Sequence, residues 1–206
     1  MLQFITDTKS DTPVIDQIKA VIKGGCKWVQ ISMPDASDSE IREAVEAIKP
    51  LCIEKEVFLI LESNAELAKE LNVGGVCLHK DDIPASKARM ILGPAAVIGV
   101  VVHSFQDILS VSSLDIDYFM LAPFRKSDCK NDESPELGVE GVKSICDKME
   151  GNEINIPRVA EGGITYDDIP SLLNAGINGI AVSKAIANSV DITKETEKFI
   201  GALPMA

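Results

Sequence analysis

The chain has 206 residues, of which 46% are hydrophobic and only 4% are aromatic, and this composition is typical of one domain with an aliphatic core. Its formal net charge of −12 repels a nucleic-acid backbone, and no basic stripe with interleaved aromatic residues offsets that repulsion. We therefore predict no nucleic-acid partner.

The sequence also argues against a membrane or disulfide-stabilised protein. No apolar run approaches the roughly 18 residues that a membrane span needs, and the start has no basic segment followed by an apolar stretch. The five cysteines are widely spaced and form no Cys-x-x-Cys pair, which predicts neither a zinc site nor a disulfide framework. We expect a soluble, cytoplasmic protein with no membrane partner.

Short β-branched segments alternate with amphipathic segments at a spacing of roughly 25 residues, the pattern of repeated βα units. The eight predicted strands are Leu2–Thr6, Trp28–Met33, Val57–Glu62, Gly75–His79, Val97–His103, Tyr118–Pro123, Arg158–Gly162 and Gly179–Ser183. The helices predicted to follow them are Val14–Ile22, Ser39–Ile48, Ala65–Leu71, Ala85–Leu92, Phe105–Val111, Val139–Met149, Tyr166–Asn174 and Thr193–Leu203. This order predicts an α/β fold, a single (β/α)₈ TIM barrel over residues 1–206.

In such barrels the reactive groups follow the carboxyl ends of the strands. Gly162 and Gly163 after the seventh strand, with Val182 and Ser183 at the end of the eighth, predict a phosphate-binding site, because small residues let backbone N–H groups approach an anion. The alternative is that these glycines only form tight turns.

Other strand ends carry residues with two interpretations each. His103 has the chemistry of a general acid or base, and Lys130 lies in the longest loop, Arg125–Gly138, over the barrel mouth. Asp82 and Glu62 suit Mg²⁺ as a pair, although such residues more often begin a helix or face solvent. Gln30 alternates with its apolar neighbours and is expected to point into the barrel.

Several segments in order along the chain resemble one known family. They are Gly24-Gly25-Cys26-Lys27-Trp28-Val29-Gln30, Glu66-Leu67-Ala68, Asp81-Asp82-Ile83-Pro84, Asp117-Tyr118, Ala122-Pro123-Phe124, Ala160-Glu161-Gly162-Gly163-Ile164 and Gly179-Ile180-Ala181-Val182-Ser183. Together they resemble the thiamine phosphate synthase and thiazole tautomerase family over essentially the whole chain. The resemblance implies a Mg²⁺-assisted transferase of thiamine biosynthesis that couples hydroxymethylpyrimidine diphosphate to thiazole phosphate and releases pyrophosphate.

The resemblance also implies roles for individual residues. Catalysis falls to Lys130 and His103, and the implied metal ligands are Asp82, Glu62 and Ser63. The implied substrate-binding residues are Gln30, Ser32, Glu62, Ser127, Asp128, Cys129, Lys130 and Glu161.

The sequence departs from the family pattern on the pyrophosphate side. Ser32 and Pro34 stand where the family has Arg and Lys, Ser63 stands at an acidic position, and Val101 replaces a hydroxyl residue. Each lost charge-assisted contact costs about 1.5–3 kcal/mol, which predicts weak or absent synthase turnover and a weak, ligand-dependent Mg²⁺ site.

Other functions remain open at this stage. A thiazole tautomerase needs the phosphate site and a proton-transferring residue, and Val102-His103-Ser104 resembles its histidine segment. A non-catalytic protein that binds thiazole or thiamine phosphate fits the same residues, and Ala160-Glu161-Gly162 resembles a segment of some phosphosugar epimerases. The family resemblance also allows a homodimer.

Overall fold

The computed structural model describes residues 1–126 and 134–204, and eight parallel strands close into a barrel in chain order. The strands are β1 Leu2–Ile5, β2 Trp28–Ile31, β3 Phe58–Glu62, β4 Gly75–Leu78, β5 Val97–Val102, β6 Tyr118–Leu121, β7 Arg158–Glu161 and β8 Gly179–Val182. β1 pairs with β8 as well as with β2, with Leu2 opposite Ile180, and this pairing closes the sheet. The predicted (β/α)₈ fold is confirmed.

Helices connect the strands and cover the outside of the barrel. They are α1 Val14–Lys23, α2 Asp38–Glu54, α3 Ala65–Glu70, α4 Ala85–Leu92, α5 Phe105–Val111, α6 Gly138–Gly151, α7 Ile169–Asn174, α8 Lys184–Ala187 and α9 Ile192–Gly201. Within residues 1–126 and 134–204, no helix combines the length and apolar character that a bilayer crossing requires.

Two hydrophobic clusters fill the structure. Strand residues on the outer face pack against the helices, with Phe4, Phe119 and Phe199 completely buried. Inside the barrel the Trp28 and Tyr118 rings meet edge to face at 4.9 Å between centroids, and this pair plugs the amino-terminal half of the barrel. This part of the interior is therefore a packed core.

Apart from shifts of one or two residues at helix ends, the helices differ from the prediction at three places. α2 continues through Pro50 to Glu54, although proline predicts an end at Ile48, because Cys52 still packs on the apolar side of the helix and into the core. The segment predicted as one helix from Tyr166 begins as a 3-10 turn, Tyr166–Asp168. α8 is an additional four-residue helix that the periodicity is too short to reveal.

Candidate functional site

A cavity of about 1050 Å³ opens at the carboxyl ends of the strands, the end at which barrels of this architecture carry their active sites. The described residues that line it are Ile5, Thr6, Asp7, Thr8, Lys9, Ser32, Pro34, Asp35, Glu62, His79, Lys80, Asp81, Val101, His103, Ala122, Ser134, Glu161, Gly162, Gly163, Ile164, Thr165, Ala181, Ser183, Lys184, Ala185 and Asn188. Every strand, or the segment that directly follows it, contributes to this lining, so the closed barrel positions the whole site.

The cavity has an apolar floor and a charged rim. Ile5, Val101, Ala122 and Ala181 are buried in the interior cluster and also face the cavity. Among the described lining residues, five carry a carboxylate and three carry an ammonium group. They are Asp7, Asp35, Glu62, Asp81 and Glu161, and Lys9, Lys80 and Lys184. The floor suits a small heterocycle, whereas an anion requires the few cations on the rim.

The turn after β7 is built to bring backbone close to the cavity. Gly162 and Gly163 have φ values of 107° and 57°, a region that residues with a Cβ rarely adopt. Phe124 N–H donates to the Glu161 carbonyl at 2.7 Å and Arg125 N–H to the Gly162 carbonyl at 3.0 Å, so the turns after β6 and β7 lie side by side. A side chain at Gly163 would crowd the Arg125 backbone.

Arg125 holds the same turn from outside. Its guanidinium donates to both carboxylate oxygens of Asp168, at 2.9 and 3.1 Å, and to the Gly163 carbonyl. Partial burial opposes ionisation of Asp168, but the hydrogen bonds from Arg125 and Thr165 outweigh it and lower the pKa of this carboxyl group. Arg125 is therefore a structural cation of the turn.

A hydrogen-bonded network joins the ends of β3 and β4. Glu62 Oε1 accepts from His79 Nε2 at 2.7 Å, since an ionised carboxylate only accepts. Asp82 Oδ2 accepts from Ser63 Oγ at 2.6 Å and from the His79 backbone N–H at 2.7 Å. These bonds fix the His79–Asp82 turn.

This network does not provide a ready magnesium site. One oxygen of Asp82 is engaged in the turn, and Asp82 and Ser63 do not line the cavity with Glu62. Among residues 1–126 and 134–204, no three His, Cys, Asp or Glu side chains are grouped as metal ligands. The arrangement around Asp82 therefore does not fit a cation held by protein groups alone.

His103 has a defined tautomer at the cavity. Its Nδ1 lies 2.7 Å from the Ala122 carbonyl oxygen, and because a carbonyl only accepts, Nδ1 carries the proton. When the ring is neutral, its lone pair is therefore on Nε2. A residue in this form is able to accept a proton from a ligand.

The predicted site residues separate into three groups. The structure brings together at the cavity Ser32, Glu62, His103, Glu161, Gly162, Gly163 and Ser183. It places the side chains of others elsewhere: Gln30 is buried inside the barrel and accepts from Gln3, Val182 packs in the outer core, and Ser63 and Asp82 bond each other. Ser127, Asp128, Cys129 and Lys130 lie outside the described residues.

Sequence reasoning missed the residues that follow β1 and those that follow Ser183. Asp7 and Lys9 line the cavity from the first loop, and Lys184 and Asn188 line it from α8 and just beyond. The β1 loop could have been predicted, because the active-site residues of such barrels follow the carboxyl ends of all eight strands. Lys184 directly follows Ser183 and was open to the same argument.

The closed barrel, with a polar cavity at the carboxyl ends of its strands, defines the class: a (β/α)₈ barrel with its site at the catalytic face. The sequence profile described as "Thiamine monophosphate synthase" matches residues 2–186. The chain belongs to this family.

Individual relatives agree with the family assignment. The chain is 41% identical over 199 residues to a thiamine-phosphate synthase of Bacteroides fragilis strain YCH46, covering 97% of this chain and 98% of that protein. It is 34% identical to a thiamine-phosphate synthase of Flavobacterium psychrophilum, covering 91% of each. A solved thiamine phosphate pyrophosphorylase from Pyrococcus furiosus superposes with a TM-score of 0.85 at 26% identity, covering 98% of this chain and 94% of that one.

Proposed function

We propose that the chain is a thiamine phosphate synthase, which joins hydroxymethylpyrimidine diphosphate to thiazole phosphate and releases pyrophosphate. The observation that carries this proposal is the cavity at the carboxyl ends of the strands, in a chain matched to the synthase family from residue 2 to residue 186. Its apolar floor suits the two ring systems, and its rim offers backbone N–H groups and lysines to their phosphates.

The two substrates call for different parts of the cavity. The thiazole phosphate is assigned to the turn at Gly162 and Gly163 together with Ser183, where small residues leave backbone donors accessible. The rings then lie over Val101 and Ala122, which are buried in the floor. Glu62 and Glu161 face the rings from opposite walls, because β3 and β7 are four strands apart in the closed barrel.

The reaction is a substitution at carbon. The thiazole nitrogen supplies an electron pair to the pyrimidine methylene, the C–N bond forms, and the C–O bond to diphosphate breaks with its electron pair leaving on oxygen. No proton leaves the nitrogen. The protein therefore has to hold the two rings in line and stabilise the negative charge that develops on the diphosphate.

Magnesium enters this proposal only as a companion of the diphosphate. Carboxylates outnumber lysines on the described rim, so a bound diphosphate meets an excess of negative charge. A divalent cation bound to the diphosphate oxygens supplies charge neutralisation. No step is assigned to the cation, since the residues around Asp82 do not form a site for it.

One assay tests the proposal. The protein is incubated with both substrates and Mg²⁺, and thiamine phosphate and pyrophosphate are quantified, with either substrate omitted as the control. Formation of both products in equal amounts supports the synthase. If neither product forms although the protein binds thiazole phosphate, the proposal is wrong.

A thiazole tautomerase is the second candidate, and the geometry of His103 favours it. The hydrogen bond of Nδ1 to the Ala122 carbonyl orients the ring in a cavity that also holds the phosphate turn, and Nε2 accepts a proton when the ring is neutral. Incubation with the unrearranged thiazole carboxylate phosphate distinguishes the two, because an isomerase converts this compound without the pyrimidine substrate. Loss of that conversion in His103→Gln is expected only for the isomerase.

A further inference from the structure

The diphosphate of the proposed substrate needs cations, and the loop after β2 does not supply them. Ser32 and Pro34 line the cavity there, and residues 32–37 contain no lysine or arginine. Arg125, in the loop after β6 on the opposite side of the barrel, is bound to Asp168 and to the Gly163 carbonyl. Among the described residues, the cations that line the cavity are Lys9, Lys80 and Lys184.

The loop that carries Lys9 is fixed beside the loop after β2. Thr6 Oγ1 donates to the Ser32 carbonyl at 2.9 Å and accepts from Ser32 N–H at 2.8 Å, so the loops after β1 and β2 are joined by two hydrogen bonds. The Lys9 backbone N–H donates to Asp7 Oδ1 at 2.9 Å, which sets the loop's turn. The lysine therefore stands one strand away from the position that Ser32 and Pro34 leave without charge.

Lys184 flanks Lys9 on the other side. It follows Ser183 at the start of α8, and β8 is the direct neighbour of β1 in the barrel. Ser10 Oγ donates to the Ala187 carbonyl at 3.0 Å, so the β1 loop is also joined to α8. Lys80 follows β4, three strands from β1.

The order around the rim is thus the Gly162–Gly163 turn, Lys184, Lys9 and the loop with Ser32. We propose that Lys9 and Lys184 bind the diphosphate of the pyrimidine substrate, and so replace from the β1 and β8 loops the cations missing after β2. This assignment rests on the proposed synthase function, since it names the binding groups for one of its two substrates. The two lysines on adjacent loops supply one ammonium group for each phosphate of the diphosphate.

Calorimetric titration with inorganic pyrophosphate and Mg²⁺ tests the assignment without turnover. Lys9→Ala and Lys184→Ala should each weaken pyrophosphate binding by about tenfold, the loss of one charge-assisted contact, whereas Lys80→Ala should weaken it by less than about threefold. Lys194→Ala in α9 is the control for net charge, because that side chain is 81% exposed and outside the cavity. Lys184→Arg keeps the charge and should retain most of the affinity.

Thiazole phosphate, titrated in parallel, separates the two anion sites. Its affinity should change by less than about threefold in Lys9→Ala and Lys184→Ala. Equal losses for both ligands, or an equal loss in Lys80→Ala, would overturn the assignment. If the lysine variants lose pyrophosphate affinity but the native protein shows no synthase turnover, the proposed function is wrong and the pyrophosphate site is supported. If the native protein turns over but the lysine variants keep their pyrophosphate affinity, the synthase function is supported and the pyrophosphate site is wrong.

Discussion

At the scale of single residues, Gly163 is a position of the phosphate turn that requires a residue without a side chain. Its φ of 57° is unfavourable for any side chain, and a Cβ would lie 3.0 Å from the Arg125 carbonyl oxygen. Gly163→Ala should displace the backbone donors and weaken thiazole phosphate binding by at least about tenfold, or about 1.4 kcal/mol, by calorimetry.

Gly93→Ala is the matched control for Gly163→Ala. Gly93 has a φ of 87° at the end of α4, and a Cβ there meets nothing within 4 Å. Both variants should lose about 1 kcal/mol of stability from backbone strain, but only Gly163→Ala should lose phosphate affinity. Equal phosphate affinity in the two variants would remove the Gly163 turn from the site.

Asp82 and Ser63 lead to a prediction about magnesium. Because an oxygen of Asp82 already accepts from Ser63 and from the His79 backbone, the ligand-free protein lacks a prepared cation site. Titration with Mg²⁺ alone should show no tight binding, and binding should appear when pyrophosphate is added. A site of micromolar affinity in the ligand-free protein is the result that contradicts this prediction.

At the scale of elements, the 3-10 turn Tyr166–Asp168 depends on one ionised carboxylate. Since the pKa of Asp168 is lowered in the folded protein, its contribution to stability is present above the unfolded pKa, near 4, and is lost as pH falls through the folded pKa. Asp168→Asn should therefore lower the thermal midpoint at pH 7, and the difference from the native protein should shrink toward pH 3.

Asp167→Asn makes the same change of charge at an exposed neighbour and serves as the control for Asp168→Asn. It should leave the midpoint almost unaltered at both pH values. If the difference in thermal midpoint between the native protein and Asp168→Asn stays constant from pH 7 to pH 3, ionisation of Asp168 does not account for the loss of stability.

The loops after β1 and β2 provide a test by rescue. If Lys9 and Lys184 have taken over the diphosphate, cations placed back after β2 should compensate for their loss. Adding Ser32→Arg and Pro34→Lys to the Lys9→Ala/Lys184→Ala variant should raise synthase turnover by at least about tenfold, or about 1.4 kcal/mol in the barrier. The backbone bonds between Ser32 and Thr6 do not involve the Ser32 side chain, so the loop should tolerate the change. A folded variant without recovery would contradict the shared role of these positions.

Local patterns predicted the strands well, because each strand is a short apolar segment closed by a turn. The strand cores all occur in the structure, and Ser37 caps the start of α2 through a capping box with Glu40. The end of α2 was mispredicted because tertiary packing of Cys52 outweighs the local effect of Pro50. α8 was missed because four residues carry no readable period.

At the scale of the whole molecule, the site depends on which strand ends are neighbours. The order of the strands in the sequence predicts these neighbours only if the sheet is assumed to be a closed barrel. Ser32, Glu62, His103 and Glu161 were expected at the rim, and the structure places them along one cavity. Gln30 points into the barrel as expected, but its side chain accepts a hydrogen bond from Gln3 below the cavity and does not line the cavity. That Lys9 and Lys184 lie on adjacent loops became visible only in the structure, where β1 pairs with β8 and closes the barrel.

A synthase with the two proposed phosphate sites holds two anions side by side on the rim of one barrel. A crystal structure with thiazole phosphate, pyrophosphate and Mg²⁺ tests this most directly. We predict that the phosphate of thiazole phosphate lies about 3 Å from the backbone nitrogens of the Gly162–Gly163 turn, and that the pyrophosphate contacts Lys9 and Lys184. A pyrophosphate bound instead between the Ser32 loop and Lys80, or a thiazole phosphate bound away from the Gly162–Gly163 turn, would contradict it.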